Sequence, residues 1–446
     1  MSDDPLLPGT SRNLEEREAR AFDFGRMVRR VPDAVATPVS AEEVANLVRS
    51  ARRGGIQLAI RGGGHSQGAQ SLTDRGVVLD TTNLDRVQPV GPGLVRAQGG
   101  AQWGTVVDAL KGARRLPRVL VDIGEATVGG TLAAAGLGTT SHRYGAQVEQ
   151  VEQLEVVTGT GELVRCSPME NAGLFDAVRG GQGQFGIITE AWIRLRPAGA
   201  RFRQYELHYQ DFERFAEDFD ILVAEGRFDH FRVELRHLEN KIILLAGLEY
   251  DETPDDDRVL EALGYDELVY TRDTASVGRA GIYPSWAFSW RHFHPWRDWM
   301  LPWEALPMLL AEPLLDLDLV PRPPWGWIGL YPVGRGEIDA PLFMRPPQKK
   351  LVSYSVLAML GELEFERATE LAKRLEDVDR RLVELGAKSY LSGGVGYGPE
   401  QWGRHYGEML EQVVKWKREF DPDQVLPSAD MPFGPGASDS SLGTWP

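Results

Sequence analysis

The stretch Ile56 to Gln70, IQLAIRGGGHSQGAQ, constrains this chain more than any other. Ile56 to Ile60 is an apolar run of strand length, and it leads straight into Arg61-Gly62-Gly63-Gly64-His65-Ser66. Consecutive glycines carry no Cβ and reach positive φ without strain, so neighbouring amides can turn toward one anion. A diphosphate suits such a loop, and His65 is then held beside whatever the diphosphate belongs to. A glycine-rich surface turn with a solvated histidine is the plain alternative, because glycine loops alone are weak signals.

Two more clusters shift the balance: Thr127-Val-Gly-Gly-Thr131 and Gly180-Gly-Gln-Gly-Gln-Phe-Gly186. Neither leads into the Gly-Lys-Ser/Thr of a Walker loop. The run after Gly186 has strand character, whereas a dinucleotide fingerprint opens a helix. Each alone reads as a turn. Together, within a domain of about 200 residues, they read as loops crossed by one extended cofactor.

The chain's 446 residues allow two or three domains with ample core. A formal net charge of -16 disfavours an electrostatic grip on nucleic acid or anionic lipid. No apolar run approaches the ~20 residues that span a bilayer. The opening MSDDPLLPGTSRNLEEREAR lacks a basic region followed by an apolar one, so the expectation is a cytoplasmic protein. Cys166 is the single cysteine, which excludes an internal disulfide and a cysteine-cluster metal site.

Ser40-Ala-Glu-Glu43 reads as a capping box opening a helix that Gly54-Gly55 closes. Strands are expected at Gly76 to Asp80, Leu94 to Gln98, Val151 to Val157, Glu162 to Cys166 and Gly186 to Leu195, with helices at Trp103 to Leu110 and Leu174 to Val178. Helices and short strands are mixed, with no regular βαβ repeat. Pro197-Ala-Gly-Ala200 marks a boundary. Beyond it, Phe212 to Val223, Glu362 to Leu385 and Gln401 to Phe420 read as helices; Phe231 to Leu235, Lys241 to Glu249 and Leu351 to Leu360 read as strands.

Asp122 interrupts the apolar run Val119-Leu-Val-Asp-Ile123 just before a glycine cluster. A buried carboxylate has a raised pKa and can exchange protons with a substrate, although this local pattern alone favours a surface aspartate at a strand end. Glu234 alternates with apolar neighbours in Phe231-Arg-Val-Glu-Leu235 and faces either inward or into solvent. Between Trp286 and Trp327 lie seven of the 12 tryptophans, a segment that reads as core or as the lining of a pocket for a flat ligand. His292 and His294 lack a third ligand at zinc spacing, so no metal is expected. Ser66 stands outside any G-x-S-x-G elbow, and Cys166 reads as a packed small residue.

Read together, Gly62-Gly-Gly-His-Ser66, Asp122 with Thr127-Val-Gly-Gly-Thr-Leu132, and Gly183-Gln-Phe-Gly-Ile-Ile-Thr189 occur in the order used by FAD-linked oxidases of the vanillyl-alcohol oxidase and berberine-bridge class. Within that class the chain most resembles the cytokinin dehydrogenases, through Thr127 to Gly136, Arg143-Tyr-Gly-Ala-Gln147, Glu155 to Ser167, Leu174-Phe175, His294-Pro-Trp296, Tyr331-Pro332, Tyr390-Leu391 and a tail running from Trp402 through His405-Tyr406-Gly407 to Asp421-Pro422. The likeness is dense from Ile56 to Pro197 and collinear afterwards.

The resemblance implies an α+β fold: a PCMH-type FAD-binding domain of two α/β subdomains (1–197), an inserted α+β substrate or cap domain (198–390), and a C-terminal return to the first domain (391–446). It implies FAD bonded through His65 to the flavin 8α-methyl and contacted by Gly62, Gly63, Gly64, Ser66 and Gln70, with Thr127, Ile188 and Tyr390 around it. Asp122 matches the family's catalytic aspartate, which accepts a hydrogen bond from the substrate amine, and Glu234 matches a substrate-domain glutamate. The implied reaction takes a hydride from the carbon next to a secondary amine, as in side-chain cleavage of N6-substituted adenines. Electrons then pass to a quinone-like acceptor or to oxygen. Oxidation of a sugar or other alcohol, with Tyr390 as base, is the alternative. Two departures stand out. Glu125 falls near the place of the berberine-bridge enzymes' second flavin-linking cysteine, so at most one covalent bond is expected. Pro427-Ser-Ala-Asp430 replaces the family's Ser-Pro-Gly-Gln tail.

Overall fold

The computed structural model describes residues 7–236, 239–274, 291–311, 326–334, 338–394 and 396–427. Its first sheet is small and mostly parallel. Val77–Asp80 lies between Ala34–Ala36 and Leu58–Arg61, parallel to both, and Thr10–Ser11 adds an antiparallel edge. The helix Ala41–Gly54 makes the crossover between the outer parallel strands. Ser40 Oγ accepts from the Glu43 amide at 3.2 Å to open that helix, and Gly55, at φ +62°, closes it. Its Val44, Leu47, Val48 and Ala51 share a core with Leu58, Val77 and Leu79. Ala34–Ala36, at 3 residues, is too short for its alternation to register in the sequence.

The second sheet is antiparallel. Gly186–Pro197 lies at its centre between Leu94–Gln98 and Val151–Thr158, with Val87–Pro89 and Leu163–Cys166 at the two edges; Arg115–Pro117 pairs with the far end of the central strand. Trp103, Val106 and Leu110 of the helix Trp103–Leu110 pack beneath this sheet with Leu154, Ile193 and Phe175. The C-terminal segment enters the same core. Where the sequence predicts one helix, Pro399–Tyr406 and Leu410–Phe420 are separated at Gly407, whose φ of +53° an α-helix cannot hold. Trp402, Tyr406, Val413 and Trp416 nevertheless pack with Trp103 and Leu154. The buried Lys417 ammonium then ties that tail down through Asp421 at 2.7 Å, the Gln184 carbonyl at 2.8 Å and the Leu426 carbonyl at 3.0 Å.

The third sheet has eight strands, all antiparallel. Its order is Glu267–Thr274, Arg201–Tyr209, Lys241–Tyr250, His230–Arg236, Gly326–Val333, Leu351–Ala358, Trp296–Pro302 and Lys388–Tyr390. The helices Phe212–Glu225 and Phe365–Glu384 cover one face, burying Phe215, Phe219, Leu371 and Leu375 against Phe231, Val233, Trp299 and Val356. The uncovered face of this sheet meets the first two. Among the described residues, no helix is long and apolar enough to cross a membrane.

Candidate active site

One cavity of about 280 Å³ runs between the parallel sheet, the antiparallel sheet and the open face of the eight-stranded sheet. Its walls are built from the stretches singled out in the sequence: Gly62, Gly63, Gly64, His65, Ser66 and Gln70 from the first glycine loop, Thr127 and Gly129 from the second, and Gly183 and Ile188 from the third. Asp122 and Tyr390 also line it.

The glycine loop follows Leu58–Arg61 and folds tightly for visible reasons. A Cβ at Gly62 would overlap the Thr127 hydroxyl, and one at Gly63 would stand 2.6 Å from the Glu125 carbonyl. Gly64, at φ +78°, rests on the Arg61 guanidinium. Among the described residues, the amides of Gly62, Gly63 and Gly64 donate to no backbone carbonyl or side chain. The Thr127 hydroxyl is buried in the cavity wall, also without a hydrogen-bond partner among the described residues. Buried donors in native folds are satisfied nearly always, so these groups fit an anionic, oxygen-rich ligand lying across the loop. The second cluster is the start of a helix, Val128–Ala134, with Thr127 at its N-cap, and not the turn its glycines imply in isolation.

His65 sits behind this loop, its ring 4.9 Å from that of Phe24. His294 stacks on the other side of Phe24 at 4.6 Å and 7°, with its Nδ1 3.0 Å from the Phe24 carbonyl. Burial, and then the Arg61 guanidinium and the His294 ring, push the His65 imidazole down to about 4. The ring is therefore neutral at pH 7 and keeps a lone pair on one nitrogen. His292 stands with its ring 6.4 Å from that of His294; among the described residues no group of three or more His, Cys, Asp or Glu could hold a metal ion.

Asp122 lies in an irregular stretch between Arg115–Pro117 and Val128–Ala134, not in the strand its apolar neighbours suggest. Gly136 and Gly138 allow that stretch to close down: a Cβ at Gly138 would collide with the Leu120 carbonyl, and one at Gly136 would come 2.8 Å from Val121 Cγ1. The carboxylate is deep, and its remaining accessible surface faces the cavity. Tyr331 Oη donates to its Oδ2 at 2.5 Å, and no described residue donates to Oδ1. Burial raises the Asp122 pKa; Arg232, the Tyr331 hydrogen bond and His230 act against that rise without cancelling it.

The open face of the eight-stranded sheet supplies the opposite wall. Pairing aligns Asp298 with Ser355 and Tyr390, and Ser355 with Gly329, so one cross-strand row runs Tyr390, Asp298, Ser355, Gly329, Glu234. Asp298 is buried and accepts from Ser355 Oγ, from Ser392 Oγ and, at 2.8 Å, from Trp296 Nε1. Burial raises its pKa while those three donors pull it back. Trp296, Asp298, Tyr331, Ser353 and Ser355 all line the cavity. Sequence reasoning gave them no role, although His294-Pro-Trp296 and Tyr331-Pro332 carried part of the resemblance. Glu234 is not brought to the cavity wall. It lies in the same row beyond Gly329, with Oε1 3.0 Å from Arg232 and Oε2 3.1 Å from Arg236. Within the tryptophan-rich segment, Trp299 is core and Trp303 stacks on Phe219 at 5.2 Å; Trp286, Trp290 and Trp325 lie outside the described residues, as do Ser428, Ala429 and Asp430 of the tail.

Comparison with known proteins agrees with this architecture. Residues 32–167 match the family model of the FAD binding domain, and residues 283–433 match that described as "Cytokinin dehydrogenase 1, FAD and cytokinin binding". An uncharacterized oxidoreductase, ORF5 of the fasciation locus of Rhodococcoides fascians, is 32% identical over 92% of this chain and 96% of its own length. Cytokinin dehydrogenase 7 of Oryza sativa subsp. japonica is 30% identical over 93% of this chain and 90% of its own length. For cytokinin dehydrogenase 5 of Arabidopsis thaliana the figures are 28%, 95% and 90%.

Proposed function

The chain belongs to the cytokinin dehydrogenase family of FAD-dependent oxidoreductases, and on that premise we propose that it oxidises the carbon next to a secondary amine, N6-substituted adenines being the substrates that suit the site best. The observation that carries this reading is the state of Asp122: a buried carboxylate on the cavity wall, with one oxygen taken by Tyr331 and the other without a donor among the described residues. An amine N–H is the complementary partner.

FAD, when bound, supplies the two-electron acceptor. The free amides of Gly62 to Gly64 and the Thr127 hydroxyl are the groups that would hold its phosphates. Neutral His65 offers the nitrogen lone pair that a single covalent tether to the flavin methyl requires. Asp122 Oδ1 accepts the substrate N–H and so fixes which carbon faces the cofactor. Tyr331 holds the carboxylate at a single angle, and Trp296 offers a flat wall whose tilt is pinned by Asp298. Loss of hydride from that carbon, and of the N–H proton, leaves an imine. Water then splits it into the free amine and an aldehyde.

The alcohol reading needs a base, and Tyr390 is poorly equipped to be one. Burial, reinforced by Asp298, raises its pKa well above that of a free phenol, and its hydroxyl donates to the Ala135 carbonyl at 3.2 Å. A quinone-like acceptor or oxygen is the proposed terminal oxidant, and the cytoplasm the proposed location. An anaerobic panel of N6-alkyl adenines, simple secondary amines and sugar alcohols, read by flavin absorbance, tests the reading. N6-substituted adenines are expected to bleach the flavin; bleaching by alcohols alone would overturn the assignment.

A further inference from the structure

Asp122 has to be ionised to accept an amine N–H, yet its surroundings favour the neutral acid. The inserted sheet answers this with two side chains from neighbouring strands. In the ladder between His230–Arg236 and Gly326–Val333, Val233 pairs with Leu330 and Glu234 with Gly329. Arg232 and Tyr331 are the residues next beyond the Val233–Leu330 pair on the two strands, and both act on Asp122. Tyr331 is the residue that donates to Asp122 Oδ2. A guanidinium and a phenol are thus presented side by side to one buried carboxylate. Behind the guanidinium, Glu234 Oε1 holds Arg232 Nη2 at 3.0 Å, and Arg236 Nη2 holds the other Glu234 oxygen at 3.1 Å.

We propose that Arg232 is a positioning residue that keeps Asp122 ionised for substrate, and that Glu234 acts on the reaction only by fixing Arg232. This rests on the reading of Asp122 as the acceptor of the substrate N–H. Among the described residues, three groups act on the charge of Asp122. Arg232 and His230 come from one strand and Tyr331 from the next, with Glu234 behind Arg232 and Glu249 behind His230 at 2.8 Å. His230 also bonds Thr139 Oγ1 through its other nitrogen. Arg232 is the one permanent cation among them, and it is the larger of the two opposing charges.

The test is the pH profile of flavin reduction by an N6-substituted adenine, read beside calorimetric binding of adenine itself, which has no side chain to oxidise. In Arg232→Gln the acid limb of both profiles is expected to move up by about one to three pH units, because an adjacent opposite charge is worth that much to a carboxyl group. Arg232→Lys should restore much of the shift. Glu234→Gln should keep the limiting rate at high pH and move the limb upward by less than Arg232→Gln does, since the guanidinium is then no longer held in its place. An unmoved limb in Arg232→Gln, or a rate lost at every pH in Glu234→Gln, overturns the inference. Asp122→Asn run alongside separates the two levels: if that variant loses rate while the Arg232 limb stays put, only the inference fails, and if Asp122→Asn is harmless, the underlying reading fails as well.

Discussion

A carboxyl group as deep as Asp122 ordinarily surrenders its charge, and a histidine as deep as His65 ordinarily stays neutral. The site uses both tendencies. His65 at about 4 is uncharged across the physiological range, so its lone pair is always present. In His65→Ala the proposed tether to the flavin would be absent. Acid precipitation is then expected to release FAD into the supernatant, whereas flavin from the parent stays with the pellet; the absorbance of the two fractions decides it. Asp122 was legible in the sequence only as an acid near a glycine cluster, because nothing local shows that Tyr331, far along the chain, would cap one of its oxygens. Asp298 was not legible at all. Its burial is created by Ser355, Ser392 and Trp296 converging from three different segments.

Several elements with a clear local pattern follow from the sequence, whereas some strands depend on their packing. Leu94–Gln98 and Trp103–Leu110 follow from apolar periodicity alone. Trp296–Pro302 and Gly326–Val333 escaped because their tryptophans, glycines and prolines blur the alternation, and only pairing with Leu351–Ala358 makes them strands. The glycine loop belongs to the first kind, and its tightness can be tested. Gly62→Ala drives a methyl into Thr127. The variant should keep its far-UV circular dichroism and lose most of its bound flavin, seen as a fall in the ratio of visible to ultraviolet absorbance. Gly386→Ala, away from the cavity, is the control. It carries φ +87° and has nothing within 4 Å of the added Cβ, so only backbone strain of order 1 kcal/mol is expected there.

Across the whole molecule, the antiparallel sheet of the first half and the inserted sheet are joined by ions as well as by the shared cavity. Arg196, at the end of Gly186–Pro197, grips Glu249 of Lys241–Tyr250 with both guanidinium nitrogens at 2.5 and 2.9 Å, and His230 adds a third bond at 2.8 Å. Burial alone would raise the Glu249 pKa, but His230 and Arg196 together hold it down at about 2. A carboxylate depressed in the folded state stabilises above its unfolded pKa and loses that contribution as pH falls toward the folded one. Glu249→Gln, which leaves Arg196 buried without its counter-ion, should therefore cost about 3–5 kcal/mol at pH 7, and the penalty should shrink as pH falls from the ordinary glutamate range toward about 2. Urea unfolding of parent and variant over that window measures it.

The account stands on Asp122 taking the proton side of an amine oxidation, and anaerobic stopped-flow reduction of the flavin by N6-isopentenyladenine addresses that most directly. The parent is expected to bleach rapidly, and Asp122→Asn to remain yellow and bleach about 10²–10⁴-fold more slowly, the usual worth of a placed acid–base group. Equal rates in the two proteins, or a flavin that no N6-substituted adenine reduces, would contradict it.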